Sequence, residues 1–251
     1  MALKEELKSQ GDYLFKFRSY LPILLLIFGV WIVIYENLYI APTDQTLLHQ
    51  ILANSSIFVG LFGLFIRVFT VGYTPANTSG RNTKEGQVAD YLNISGIYSI
   101  CRNPLYFGNY LMWLAPAMLT GNIWFVIIFS LIFWIYYERI IFAEEHFLRE
   151  KFGDTYLNWA KQTPIFIPKL SGYKKPQINF SWKKILKKEK NGLFALFLVF
   201  LFFKIVGECT LHQKFVLDTN WLVLCTAATG LLYIILKIVK KYTNALNEEG
   251  R

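Results

Sequence analysis

The chain has 251 residues, of which 54% are hydrophobic and only 17% charged, and its mean hydropathy is +0.35. Soluble globular domains are less apolar than this, so the composition points to a membrane protein. The formal charge of +9 does not indicate nucleic acid, because the basic residues lie between or beside long apolar runs, where they meet anionic lipid headgroups.

The N-terminal stretch "MALKEELKSQGDYLFKFRSYLP" mixes both charge signs before the first apolar run, and no small-residue cleavage site follows it. That first run is therefore expected to be a retained span and not a signal peptide. Apolar runs at 21–41, 47–72, 106–120, 122–140, 193–211 and 217–239 each approach the roughly 20 residues that a spanning helix needs. The third is short and joins the fourth through Leu119 to Asn122, whose Gly and Asn suit a tight turn, so the two should form a helical hairpin. Downstream, "NFSWKKILKKEKN" places Ile178, Trp182, Ile185 and Leu186 at helical intervals with lysines between them and Ser181 as N-cap, which predicts a basic amphipathic helix on the inner leaflet.

The expected architecture is all-α: a polytopic integral membrane protein of about six transmembrane helices, with a helical hairpin core and an interfacial amphipathic helix. It divides into a two-span region (1–72), a motif-bearing core (73–168), the basic interfacial helix (169–192) and a second two-span region (193–251). The links at 41–46 and 119–122 carry no Lys or Arg, whereas the N-terminus, the segments 73–105 and 138–192, and the end of the last run are basic. Positive charge collects on the cytoplasmic side, so both termini are expected there.

Two polar constellations stand on that basic face. In "GIYSICRNPLYFG", Pro104 suits the first position of a helix and disfavours helical backbone at Asn103. The new helix start would then carry free N–H groups, with Arg102 beside it as a fixed positive fork and Tyr98 and Tyr106 as aromatic faces. The alternative is an interfacial Arg/Tyr belt. The second is "ERIIFAEEHFLREKFGDTYLNWAKQTPIFIP", with no helix breaker before Gly153. On one helix Glu144 has Ile140, Ile141, Phe147 and Leu148 as neighbours and faces the apolar side, while Glu145 has Arg149 at i+4. Arg139 lies near the membrane boundary, able to snorkel or to hold an anion. Lys204 and Glu208 read as an internal i,i+4 pair. The cysteines (Cys101, Cys209, Cys225) and the scattered histidines show no metal-ligand spacing, so no metal site is expected, and His146 is expected at the surface.

At these two constellations the sequence resembles the isoprenylcysteine carboxyl methyltransferase and phospholipid methyltransferase superfamily of integral membrane enzymes. The resemblance rests on Gly96, Tyr98, Arg102, Pro104, Tyr106 and Gly108, then Glu144, Glu145, Leu148, Phe152, Gly153, Tyr156, Pro164, Ile167 and Pro168. It implies S-adenosylmethionine as methyl donor, held by Leu92, Tyr98, Asn103, Pro104, Leu105 and Tyr106 together with the acidic pair. It favours Glu145 as the contact, whereas helical geometry favours Glu144. It further implies that Arg102 and Arg139 orient the anionic group of a lipid or lipidated substrate. The superfamily's histidine is Asn103 here, and an amide cannot titrate near neutral pH. That steers the expected reaction toward methyl transfer to an already anionic oxygen, a carboxylate or a phosphate, at the cytoplasmic face of a bacterial inner membrane. The alternatives are an NADPH-dependent sterol or enone reductase, whose C-terminal pattern is similar, and a non-catalytic lipid-binding protein. Membrane lipids are the expected partners, and nucleic acid is not.

Overall fold

The structure is a computed structural model that describes residues 2–18, 20–39, 46–76, 78, 81–83, 86–215 and 220–251. Among the described residues seven α-helices make up nearly all of the regular structure: α1 (Leu3–Lys16), α2 (Tyr20–Tyr39), α3 (Leu47–Gly72), α4 (Pro104–Leu119), α5 (Ile123–Gln162), α6 (Trp182–His212) and α7 (Trp221–Tyr242). A two-stranded antiparallel ribbon, β1 (Arg81–Thr83) and β2 (Gly86–Val88), lies between α3 and α4.

Helices α2, α3, α5, α6 and α7 are long and apolar enough to cross a membrane. The protein is an integral membrane protein. Helix α4 has 16 residues, or about 24 Å at a 1.5 Å rise per residue, and is the short third member foreseen in the sequence. It begins where Pro104 takes the first helical position, and it turns back into α5 through Asn122, whose side chain accepts from Phe125 N. The Tyr110 hydroxyl donates to Ser130 Oγ at 2.9 Å and closes the hairpin. Behind that turn Asn122 Nδ2 donates to Glu36 Oε1, with His49 3.7 Å from the same carboxylate.

Lipid tails are as apolar as the side chains, so helix association in a membrane relies on close packing more than on the hydrophobic effect. Two features supply it. On α5, Phe125, Phe129, Phe133, Tyr137 and Ile141 recur every fourth residue and are buried against α4 and the N-terminal helices. Between α3 and α4, Gly63 and Gly108 meet backbone to backbone: a Cβ on Gly63 would lie 2.6 Å from the Gly108 oxygen. Both positions need glycine because any side chain forces the helices apart.

Three departures from the sequence-based expectations bear on the site. Helix α1, which the mixed charges of the N-terminus did not announce, packs along the charged extension of α5, with Gly11 against Arg139 and Ala143. The basic tract is not a separate interfacial helix: Ser181 is the N-cap as expected, but the helix runs unbroken from Trp182 to His212. Three of its charged residues, Lys184, Glu189 and Lys190, are buried in the fold, while Lys183 and Lys188 stay exposed. The expected pair Lys204–Glu208 forms at 2.7 Å.

Candidate functional site

The two polar constellations, some 40 residues apart in sequence, are clipped together by backbone. Gly96 N donates to Lys174 O (2.9 Å), Arg102 N to Pro164 O (2.8 Å) and Lys169 N to Ile100 O (2.9 Å). Side chains reinforce the clip: Asn103 Nδ2 donates to Ile165 O at 3.0 Å, Cys101 Sγ to Phe166 O at 3.1 Å and Trp159 Nε1 to Tyr98 O at 3.1 Å. Cys101 is fully buried, and burial pushes its thiol up to about 12. It is inert packing and not a nucleophile.

Gly153 makes this arrangement possible. At φ 53° and ψ −127° it breaks the helical path within α5, a conformation that disfavours any residue with a Cβ. The turn redirects the last part of α5, so that Trp159 reaches Tyr98.

The clip encloses a cavity of about 250 Å³. Its floor is the start of α4, with Leu105, Tyr106 and Asn109; one wall is Leu92, Asn93, Tyr98, Arg102 and Asn103. The opposite wall is Glu144, Phe147, Leu148 and Trp159 of α5, and Arg18, Arg67 and Thr78 complete it. No side chain caps the first turn of α4, because the Asn103 amide is turned to Ile165 O.

The apolar part of α5 covers 123–140, and the acidic pair stands beyond it. Glu144 lines the cavity. Its carboxyl is pushed up to about 7 by burial, against the opposing pull of a hydrogen bond from the Tyr106 hydroxyl and the charge of Arg18. Glu145 does not line the cavity; it sits behind Arg102, whose Nη1 is 3.2 Å from its Oε2. Burial raises the Glu145 carboxyl too, and Arg102 opposes this. Burial and the Glu145 charge raise the nearby Tyr156 phenol. Arg102 Nε, Glu145 Oε1 and the Tyr156 hydroxyl are buried without an aligned hydrogen-bond partner, which is costly in a folded protein, and of the three residues Arg102 lines the cavity.

The structure thus brings Leu92, Tyr98, Arg102, Asn103, Leu105, Tyr106 and Glu144 to one cavity. Pro104 is buried beneath it as the first residue of α4. Arg139 is not brought there: it pairs with the adjacent Glu138 at 3.0 Å, and its backbone packs on Gly11 of α1. Helical rotation explains this, since Arg139 and Glu144 are five residues apart and about 140° out of phase. His146 is not at the surface but half-buried, 3.3 Å from Glu150. The cavity's other arginines, Arg18 and Arg67, were not anticipated. Arg67 carried a signal, a charge inside the apolar run 47–72. Its Nε and Nη2 each donate to a Glu189 carboxylate oxygen at 2.8 Å, and Nη1 donates to Asn109 Oδ1, tying α3, α4 and α6 together.

Residues 56–155 match the family described as phospholipid methyltransferase. The chain is 38% identical over 80 residues to the protein-S-isoprenylcysteine O-methyltransferase of Schizosaccharomyces pombe, covering 32% of this chain and 34% of that one. Over residues 56–155 the chain is thus similar to phospholipid methyltransferases. The chain is also 30% identical, over 151 residues, to the nickel-cobalt-cadmium resistance protein of Alcaligenes xylosoxydans xylosoxydans, covering 57% of this chain and 65% of that one. It is 32% identical over 74 residues to the protein-S-isoprenylcysteine O-methyltransferase B of Arabidopsis thaliana, covering 29% of this chain. The chain therefore spans between about a third and two thirds of the length of these curated relatives. No solved structure matches it. The matched segment holds Arg67, α4, most of α5 and both glutamates, while the clip residues 159–174 lie beyond it.

Proposed function

We propose that the protein transfers the methyl group of S-adenosylmethionine to an anionic oxygen of a lipid or lipidated substrate, at the cytoplasmic face of a bacterial inner membrane with both termini cytoplasmic. The observation that carries this reading is the polar lining of the cavity: the Glu144 carboxylate and the Arg102 guanidinium face it among Tyr98, Tyr106 and Trp159, and Glu145 holds Arg102 from behind. A donor that combines a sulfonium cation, an α-amino acid and an adenine ring fits such a wall. Tyr98, Tyr106 and Trp159 offer aromatic faces to the ring or the cation. Glu144 offers the counter-charge, and the uncapped first turn of α4 and Arg102 offer donors to a carboxylate.

The bound donor would supply an activated methyl group. The protein's own contribution is alignment and electrostatics. Tyr106 holds the Glu144 carboxylate by a hydrogen bond, and a neighbouring cation favours its ionised form. Arg18 and Arg67 also line the cavity and favour approach of an anionic acceptor. Transfer of that methyl group to an oxygen that is already anionic would require no proton to be moved. This accords with Asn103, which is held by Ile165 O and cannot act as a base. Several relatives are named for methylating an isoprenylated cysteine, which is a lipidated acceptor of this chemical kind. Incubation of the purified protein with methyl-labelled donor and total bacterial membrane lipid tests the reading: label is expected in the lipid phase, and its absence with every lipid fraction would refute it.

A further inference from the structure

Beyond α5 the clip segment 164–168 returns to the depth of the spanning helices. Phe166 is buried against the α4–α5 hairpin, its ring centroid 5.4 Å from that of Phe107, 6.0 Å from Tyr110 and 5.3 Å from Trp134. Trp134 stands six residues inside residue 140, where the apolar part of α5 ends, which is about 9 Å along the axis at 1.5 Å per residue. Non-helical backbone is tolerated at such a depth only where the protein satisfies its polar groups. Three carbonyls of the segment are met: Pro164 O accepts from Arg102 N, Ile165 O from Asn103 Nδ2 and Phe166 O from Cys101 Sγ. Pro164 and Pro168 have no N–H to satisfy.

The side chains around Phe166 do not follow it inward. Ile167 and Leu170 are each 77% exposed, and Ile165 and Tyr173 are exposed with them. Such a cluster marks an interaction surface, whereas single apolar side chains would not. Lys169, Lys174 and Lys175 stand among these residues, all exposed, and no Asp or Glu occurs between Asp154 and Glu189. Apolar side chains interleaved with lysines complement an anionic bilayer surface, the former entering the acyl boundary and the latter meeting headgroups. Depth favours lipid over a protein partner, because the residues flanking Phe166 lie near the level of Trp134, which is itself exposed on the outside of a spanning helix.

This surface is joined to the cavity by backbone. Lys169 N donates to Ile100 O at 2.9 Å, while Lys174 O accepts from Gly96 N at 2.9 Å and Lys174 N donates to Ser99 Oγ at 2.8 Å. Residues 96–103 carry Tyr98, Arg102 and Asn103 of the cavity wall. Two of the three lysines therefore brace that wall through their backbone while their side chains are exposed.

We infer that residues 164–175 form a membrane seat for the cavity: Ile165, Ile167 and Leu170 enter the adjoining leaflet, Lys169, Lys174 and Lys175 meet its anionic headgroups, and an anionic bilayer thereby steadies the wall that receives the donor. The word donor rests on the methyl-transfer reading, but the seat does not and is measured apart from it.

The protein is reconstituted in nanodiscs of phosphatidylcholine alone and of equal parts phosphatidylcholine and phosphatidylglycerol. Hydrogen–deuterium exchange is read over residues 165–175, and S-adenosylmethionine affinity is read in the same discs. A lysine at an anionic surface strengthens seating about fivefold, so exchange should be at least about fivefold slower in the anionic discs, with tighter donor binding there. The combined variant Lys169→Gln, Lys174→Gln, Lys175→Gln should return both readings to their neutral-disc values, and the corresponding Arg variant should keep the wild-type difference. Ile167→Ser with Leu170→Ser should speed exchange in both discs. Wild-type exchange that is equal in the two discs, or a difference that persists in the Gln variant, overturns the inference. Exchange as fast in both discs as in detergent means that a second copy or a protein partner covers this face, and overturns it too. Slowed exchange without binding of S-adenosylmethionine keeps the seat and removes the methyl-transfer reading, whereas donor binding of equal strength in both discs removes the link between seat and cavity.

Discussion

Glu144→Gln is the substitution that interrogates the site most sharply. The wild-type carboxyl titrates near 7 because burial disfavours its charge, so the fraction ionised changes steeply across neutral pH. A cationic donor binds the ionised form. With a value of about 7, ionisation rises from about a tenth at pH 6 to about nine tenths at pH 8, so donor affinity should rise about tenfold over that range. Replacing the carboxylate by an amide of the same shape removes a charge pair worth up to about 4 kcal/mol at 4 Å and an effective dielectric of 20. Solvent at the cavity mouth reduces this, and a loss of about 10- to 100-fold is expected at pH 8, with a flat pH profile thereafter. Stability moves the other way: a carboxyl raised in the folded state favours protonation there, so wild-type stability falls as pH rises from the ordinary value of 4.5 to about 7. Glu144→Gln should abolish that slope. Calorimetric titration at several pH values, with thermal unfolding alongside, measures both. A pH-independent wild-type affinity equal to that of Glu144→Gln would refute the role given to this residue.

Removing either member of the Arg67–Glu189 pair leaves a buried charge, so Arg67→Leu and Glu189→Leu should each destabilise by about 3–5 kcal/mol, while the double variant recovers most of the loss. Denaturant unfolding in detergent reads the cycle, and additive single losses would refute the pairing. Gly153→Ala places a Cβ at φ 53° and should cost about 1–3 kcal/mol, with donor affinity falling in step because Trp159 loses its register on Tyr98. Unchanged stability and affinity would show that the break in α5 tolerates any residue. Arg139→Gln, at a residue paired with half-exposed Glu138 outside the cavity, should leave donor affinity unchanged and cost at most about 1 kcal/mol. A marked loss of affinity would return Arg139 to the site.

Where local rules govern, the chain was legible. Run length and hydropathy located the spans, Pro104 marked the start of α4, and Ser181 proved the cap of α6. Helical rotation favoured Glu144 as the residue on the apolar side, where Ile140 and Ile141 are buried, but it set Glu145 beside Arg149, whereas Glu145 pairs with Arg102. What stayed hidden was non-local. The Arg67–Glu189 contact joins residues 122 positions apart, and no periodicity within either helix announces it. Local pattern set the lysines of α6 on the inner leaflet and could not reveal that Lys184, Glu189 and Lys190 are buried in the fold. Helix α1 has only a modest apolar face, and its packing on α5 depends on Gly11, a residue that pattern alone reads as a weakness in a helix.

The most direct test of the central claim is calorimetric titration of the detergent-purified protein with S-adenosylmethionine and, separately, with NADPH. Saturable binding of S-adenosylmethionine at one site, weakened in Glu144→Gln, with no binding of NADPH, is the predicted result. Tight binding of NADPH with none of S-adenosylmethionine would contradict the account.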